Sequence, residues 1–379
     1  MLSTIKRLEV IYNSINDSNT FTNGDVIYGE VRLEAEKDFQ IESLLIKFKG
    51  KAEVLWTERH GQTTHVYHAK DKYFSVRSYF IRDKNSKKDD RQTLVTDNLQ
   101  TYSSVVAPGI HVYPFSFQFP FQDLPSSFKG ADGKIVYSLE AVLSRSMRMN
   151  TKRSTMVNFV STTNVNSISW LQTPLHDSKD KKMNIFTSGS VAMDVNLEKM
   201  GFRQGEGLKV VAFIKNSSSR EIKPKYCLYR KHSFFARGKR RVHTKDLLKE
   251  VGDAIPPSAE ETVTRVIIIP RDVEPSILNC NIIKAEHRLR VYLDVKYASD
   301  PEIKFPVAIL PAFQAYPAVP PHYPAAAAAT PFGFNPNPNP PVWGFEPQQP
   351  IAAPQPSDPP PPYGAYAMYP PLPDFENKS

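Results

Sequence analysis

Apolar side chains alternate with polar ones along nearly every patterned stretch of residues 1–310. Successive side chains of a strand point to opposite faces, so a period of two predicts strands with one buried and one exposed face. The period of three to four that a helix requires is nearly absent. Many short strands of this kind favour an all-β fold of packed sandwiches. The clearest runs are Leu44, Ile46 and Phe48; Tyr113, Phe115, Phe117, Phe119 and Phe121; Ile135, Tyr137, Leu139 and Ala141; and Leu289, Val291, Leu293 and Val295.

The chain also carries an internal repeat. The segment FTNGD at 21–25 recurs as FRQGE at 202–206, in each case a glycine turn that leads into an alternating strand. A second pair, 135–141 and 289–295, shares its apolar pattern and the position of one acidic residue. We therefore predict two related antiparallel, immunoglobulin-like sandwiches, the first enlarged by insertions such as the charged segment 83–91.

Proline content marks where the folded part ends. Of the 33 prolines, 21 lie in residues 311–379, which also hold only five charged side chains. Such a segment lacks the apolar surface that a core requires and is predicted to be disordered. The predicted organisation is a first sandwich over 1–171, a polar interdomain connector over 172–184, a second sandwich over 185–310 and a disordered tail over 311–379.

The tail carries one short signal twice, as Pro320-Pro321-His322-Tyr323 and as Pro360-Pro361-Pro362-Tyr363. Two prolines preset a polyproline II backbone for an aromatic-lined groove, and the tyrosine fills a neighbouring pocket. The predicted WW-domain ligands are therefore Pro320, Pro321 and Tyr323 together with Pro360, Pro361 and Tyr363. The alternative is chance, since a tail rich in proline and tyrosine sometimes spells this motif. The segment 369–372 matches a Tyr-Pro-x-Leu signal of the kind that endosomal sorting adaptors bind, and a chance match is again the alternative.

Positive charge is concentrated in the folded part. Residues 1–310 hold 47 lysines and arginines against 35 acidic residues, whereas the tail holds one against four. A cluster beside Phe234 and Phe235 is a candidate site for anionic lipid or phosphorylated cargo, and a solvated hairpin loop is the alternative. No nucleic-acid motif accompanies these charges, so no nucleic-acid partner is predicted. The predicted anionic-partner patch is Arg237, Lys239, Arg240 and Arg241.

Signals for catalysis, cofactors and metals are missing. The sequence contains no His-Glu-x-x-His, no Gly-x-Ser-x-Gly and no glycine-rich phosphate loop, so no enzymatic activity and no cofactor are expected. His60, His65 and His68 are interpreted as part of a surface loop rather than a zinc site. The two cysteines, Cys227 and Cys280, are predicted to be inert packing residues, which favours a cytosolic location. Apolar runs are too short to span a bilayer, so any membrane contact is expected to be peripheral.

Taken together, these residues resemble the alpha-arrestin branch of the arrestin superfamily. The resemblance lies in GDVIYGEV at 24–31, YPFSF at 113–117, LPSSF at 124–128 and PSIL at 275–278, and in the paired tail motifs. It implies two arrestin sandwiches that bind membrane receptors or transporters and a tail that recruits WW-domain HECT-type ubiquitin ligases. It also implies a peripheral location at the plasma membrane and endosomes.

Two other arrestin-like roles stay open at this point. One is a ligase-independent endosomal sorting scaffold similar to the arrestin-like retromer subunit, and the other is a phosphoreceptor-binding signalling regulator. Receptor-quenching arrestins use a tail arginine as part of a phosphate sensor, and this tail contains no arginine.

Overall fold

The computed structural model describes residues 4–82, 94–97, 102–161, 169–183, 189–295 and 299–312. Within these ranges the chain consists of strands, turns and one short 3-10 helix, Ser169–Gln172. The predicted all-β architecture of two tandem sandwiches is confirmed. The predicted insertion at 83–91 and nearly all of the predicted tail lie outside the described residues.

The first sandwich packs a small antiparallel sheet against a larger one. Its buried centre is aromatic: Phe48, Phe119, Tyr137 and Phe159 are fully buried. The small sheet runs in the order β1 (Ile5–Tyr12), β3 (Val26–Ala35) and β9 (Gly109–Gln118). The larger sheet runs in the order β2 (Thr20–Phe21), β12 (Thr151–Phe159), β11 (Gly133–Ser144), β5 (Ser43–His60), β6 (Thr63–Arg82) and β7 (Leu94–Asp97). The short strand β10 (Phe128–Lys129) also belongs to the larger sheet and pairs with β11. A separate two-stranded sheet pairs β4 (Phe39–Gln40) with β8 (Val105–Val106).

The second sandwich has the same two-sheet plan, with an aliphatic core instead of an aromatic one. One sheet runs in the order β13 (Leu175–Met183), β14 (Gly189–Leu197), β16 (Gly207–Ser218) and β19 (Ala259–Ile268). The other runs in the order β15 (Gly201–Arg203), β21 (Glu302–Leu310), β20 (Ile283–Asp294), β17 (Lys223–Ala236) and β18 (Lys239–Val251).

The strand order confirms the predicted repeat. In each sandwich the two- or three-residue strand that contains the repeat's phenylalanine pairs in parallel with the last strand: β2 with β12, and β15 with β21. On its other side, the last strand pairs with β11 in the first sandwich and with β20 in the second. These two strands carry the second repeated segment. The two halves of the chain therefore fold by one topological plan.

The structure corrects the predicted connector. Residues 175–183, inside the predicted connector 172–184, form β13, which pairs with β14 along its whole length. The sequence did not predict this strand because β13 lies at the edge of its sheet. Most of its side chains are exposed there, so the strand needs no alternation of apolar residues.

The three clustered histidines are also placed differently from the prediction. His60, His65 and His68 are strand residues at the end of the β5–β6 hairpin, not loop residues. These strands are far longer than expected, at 18 and 20 residues. Both faces of the hairpin are exposed to solvent at this end. Its sequence therefore lacks the alternation of apolar and polar residues from which a strand is predicted.

Candidate partner-binding surfaces

The predicted patch lies at the tip of the β17–β18 hairpin. Its two-residue turn, Arg237 and Gly238, has positive φ at both positions, 49° and 72°, as a type I′ turn requires. Arg237 and Lys239 are exposed, and neither forms an ion pair with any residue that the structure describes. These two cations are therefore available to an anionic partner.

The other two arginines of the patch are held by the protein itself. Arg240 donates to Ser233 Oγ at 2.8 Å and lies 3.9 Å from Glu286, with its guanidinium over the Phe235 ring. Arg241 Nε lies 3.5 Å from Asp132 Oδ2. Since Asp132 belongs to the first sandwich, half of the predicted patch serves packing and domain contact.

Beneath the hairpin, the two sandwiches share a continuous apolar core. Phe234 of β17 is fully buried against the turn that precedes β11, where a Cβ on Gly130 or Gly133 would come within 3.0 Å of its ring. Polar contacts surround this core: His243 Nε2 lies 2.5 Å from Asp132 Oδ2, and the Tyr73 hydroxyl donates to Cys280 Sγ at 3.3 Å. The hairpin thus fixes the two sandwiches to each other.

A buried polar cluster lies behind the same hairpin. Glu274 Oε2 accepts from Arg230 at 3.1 Å and lies 3.0 Å from His232 Nε2. His287 is almost completely buried; its Nδ1 lies 3.0 Å from Ser276 Oγ, and its Nε2 has no hydrogen-bond partner among the described residues. Burial, together with electrostatic interactions with His232 and Arg230, lowers the pKa of His287 to about 3. The imidazole is therefore neutral at physiological pH.

Sequence interpretation missed a second cationic surface, the outer face of the larger sheet of the first sandwich. Along β5, the outward positions Lys47, Lys49 and Lys51 alternate with buried residues. The strand register places further cations from β6, β11 and β12 on the same face. We call this surface the basic face; its cations are Lys47, Lys49, Lys51, Lys70, Lys72, Arg77, Lys134 and Lys152, and its acids are Glu53 and Glu140.

Charge on the basic face is only partly compensated. Lys49 pairs closely with Glu140, and Lys51 Nζ lies 2.6 Å from Glu53 Oε2. Burial, followed by the charge of Arg77, lowers the pKa of Lys47. A bound anion would relieve this crowding of like charges. The signal was present in the sequence, because lysine occupies three successive polar positions of one alternating strand.

Known families match both sandwiches. The N-terminal arrestin (S-antigen) domain matches residues 8–166, and the C-terminal arrestin domain matches residues 187–312. The chain belongs to the alpha-arrestin family. Arrestin domain-containing protein 4 of Mus musculus is 27% identical to this arrestin over 307 residues, covering 80% of this chain and 72% of the relative. Thioredoxin-interacting protein of Homo sapiens is 25% identical over 315 residues, covering 82% and 75%. Family membership supports an adaptor role for this arrestin.

The cysteines of this arrestin are both packed inside the protein. Cys227 is fully buried in β17 and Cys280 is 2% exposed beside Tyr73. Burial, together with the nearby Asp246 carboxylate, raises the pKa of Cys227, so the thiol form is favoured over the reactive thiolate.

The described ranges contain neither a candidate metal site nor a membrane-spanning helix. Among these residues no group of three or more histidine, cysteine or acidic side chains is placed to hold a metal ion. The same residues include no helix with the length and apolar character to cross a bilayer. The predicted WW-domain ligands at 320–323 and 360–363 lie outside the described residues and stay predictions.

Proposed function

We propose that this arrestin is a trafficking adaptor. Its sandwiches bind membrane receptors or transporters, and its tail recruits WW-domain HECT-type ubiquitin ligases, so that the cargo is ubiquitinated, internalised and sorted at endosomes. The observation that carries the proposal is the pairing of two Pro-Pro-x-Tyr motifs with an alpha-arrestin body on one chain. The adaptor acts at the cytoplasmic side of the plasma membrane and endosomes as a peripheral protein.

Proximity supplies the mechanism. Thirty-six residues separate Tyr323 from Pro360, and a flexible coil of that length spans about 30 to 36 Å. Tandem WW domains of one ligase can then engage both motifs, which raises avidity by roughly 100-fold or more over a single motif. The ligase provides the covalent chemistry, and the adaptor raises the local concentration of cargo lysines.

The cationic surfaces support the cargo half of the proposal. Arg237 and Lys239 on one sandwich and the basic face on the other offer positive charge to the acidic or phosphorylated cytoplasmic segments of membrane proteins. Positive charge of this kind mainly steers encounter and selects partners, so we expect cargo binding to weaken as salt is added.

Co-purification of ligase with the full-length chain tests the tail. The double change Tyr323→Ala and Tyr363→Ala should abolish ligase recovery, because both aromatic anchors are lost, while thermal unfolding of the body stays unchanged. Tyr366→Ala is the matched control, since this tyrosine lies in the same tail outside both motifs. Ligase recovery that survives the double change would contradict the assignment of the motifs.

Deletion of residues 311–379 separates the remaining roles. A ligase-independent sorting scaffold would keep cargo trafficking intact without the tail, and a phosphoreceptor regulator would keep tight capture of phosphorylated peptide. The adaptor proposed here should lose cargo ubiquitination and retain cargo binding.

A further inference from the structure

The loop that joins β11 to β12 presents two methionines to solvent. Met147 is fully exposed and Met149 is 93% exposed, more than any other large apolar side chain in the described part of the chain. Single exposed apolar residues are common on protein surfaces. Two of them at the tip of one hairpin, both extended away from the sandwich, form a local apolar projection. We call residues 145–150 the methionine loop.

The base of the methionine loop is held in place while its tip projects. Ser144 Oγ donates to Asn150 Oδ1 at 2.9 Å, and Arg145 folds back so that its guanidinium lies over the Phe39 ring. Met147 has a φ of +53°, in the left-handed region that side chains other than glycine and asparagine rarely adopt. A positive φ is energetically unfavourable for methionine, and its presence at an exposed apolar residue points to a functional constraint.

Positive charge flanks the projecting methionines along the hairpin. Arg148, Lys152 and Arg153 are exposed, and no acidic residue occurs between Ala141 and Val157. Arg148 and Lys152 form no ion pair with any described residue. Lys152 also belongs to the basic face, so the charge continues from the loop onto the sheet. Apolar tips with cations beside them complement a surface with anionic headgroups over a hydrocarbon interior.

We propose that the methionine loop docks the first sandwich on an anionic lipid membrane. Met147 and Met149 enter the headgroup boundary, while Arg148, Lys152 and Arg153 contact lipid phosphates and carboxylates. A membrane fits better than a phosphorylated peptide because Met147 and Met149 are both more than 90% exposed, as apolar side chains that enter a lipid surface must be, whereas a phosphorylated peptide would use the cations alone. This inference rests on the peripheral location in the proposed function and is independent of the tail motifs.

Vesicle co-sedimentation of the full-length protein tests the loop. We expect binding to phosphatidylcholine vesicles that contain phosphatidylserine, and little binding to phosphatidylcholine alone. The double change Met147→Ser and Met149→Ser should weaken binding by about ten-fold through the lost apolar insertion. Arg148→Gln should weaken it by about five-fold, the loss typical of one cation near an anionic surface.

Matched changes elsewhere keep the test specific. Met156→Ser removes an exposed methionine of β12 outside the loop, and Lys209→Gln removes an exposed cation of the second sandwich. Neither change should alter vesicle binding, and thermal unfolding of all variants should agree with that of the wild type. Loop variants that bind vesicles as tightly as the controls overturn the proposal. So do loop variants that lose binding of a phosphorylated peptide while vesicle binding is unchanged.

Two further measurements separate this proposal from the adaptor function. Ligase co-purification should be unchanged in the methionine variants, since the tail is intact. Conversely, Tyr323→Ala with Tyr363→Ala should leave vesicle binding unchanged. Failure of either proposal is therefore visible without failure of the other.

Discussion

Gly24 and Gly205 adopt the same left-handed backbone conformation, with φ of +82° and +81°, at corresponding turns of the two sandwiches. In each turn the acidic residue that follows the glycine accepts a backbone N–H three positions earlier, at 2.7 Å: Asp25 from Thr22, and Glu206 from Arg203. The agreement extends from sequence to dihedral angle to hydrogen bond. The two turns are copies of one element that directs the chain into a long strand of each sandwich.

Two substitutions of Gly205 should show whether the positive φ or the lack of space beside Arg271 requires glycine at this position. Gly205→Val should lower the free energy of unfolding by about 1 to 3 kcal/mol, because a β-branched residue is strained at positive φ. Gly205→Asn should cost less, since asparagine tolerates this region and meets the same Arg271 neighbour. Urea unfolding of both variants measures the difference. Equal losses would show that crowding by Arg271, not backbone conformation, requires the glycine.

Removal of the Phe234 ring should uncouple the two sandwiches. Phe234→Ala opens a cavity in the shared core and should cost about 3 to 5 kcal/mol, as is typical for a buried phenylalanine. Because the lost contacts join the sandwiches, we expect calorimetry to show two unfolding transitions for this variant and one for the wild type. Phe213→Ala is the control, since that ring is 44% exposed on the outer face of β16. A single transition at the wild-type temperature would contradict this account of the interface.

Sequence alone predicted those features of the fold that local patterning determines. Alternation identified strands such as β11 and β20, and the echoed glycine turns identified the repeat. It did not identify β13, because an exposed edge strand has no buried face to impose alternation. It placed Arg240 and Arg241 in a candidate binding patch but could not show that Asp132 and Glu286 pair with them, since those partners lie far away in sequence.

The burial of His287 should make stability depend on pH. An unfolded histidine titrates near pH 6.5, whereas the pKa of His287 in the folded protein is about 3. Between these values the unfolded chain binds more protons, so this contribution to stability is complete above pH 6.5 and is lost progressively as the pH falls. From pH 7 to pH 5 the loss should be about 2 kcal/mol, at roughly 1.4 kcal/mol per unit of pH below 6.5.

Urea unfolding at several pH values tests this dependence. His287→Gln removes the titrating group. The slope of the free energy of unfolding against pH should therefore decrease between pH 6.5 and pH 5 by the contribution of about one proton. His176→Gln is the control, because His176 is exposed beside Asp194. An unchanged slope in the His287 variant would show that another group governs the acid sensitivity.

The crowding of Lys47 predicts that binding and stability respond in opposite directions. Lys47 is partly buried next to Arg77, and the cost of keeping it charged there appears as its lowered pKa. Lys47→Met keeps an unbranched side chain of similar length and removes the charge, so the free energy of unfolding should stay level or rise by up to about 1 kcal/mol. The same change should weaken binding of an acidic phosphorylated peptide, measured by fluorescence anisotropy, because the basic face loses a cation. Lys215→Met, at an exposed lysine of the second sandwich paired with Glu260, is the control and should leave peptide binding unchanged. A Lys47 variant that is destabilised and still binds the peptide fully would assign this lysine to packing instead of partner binding.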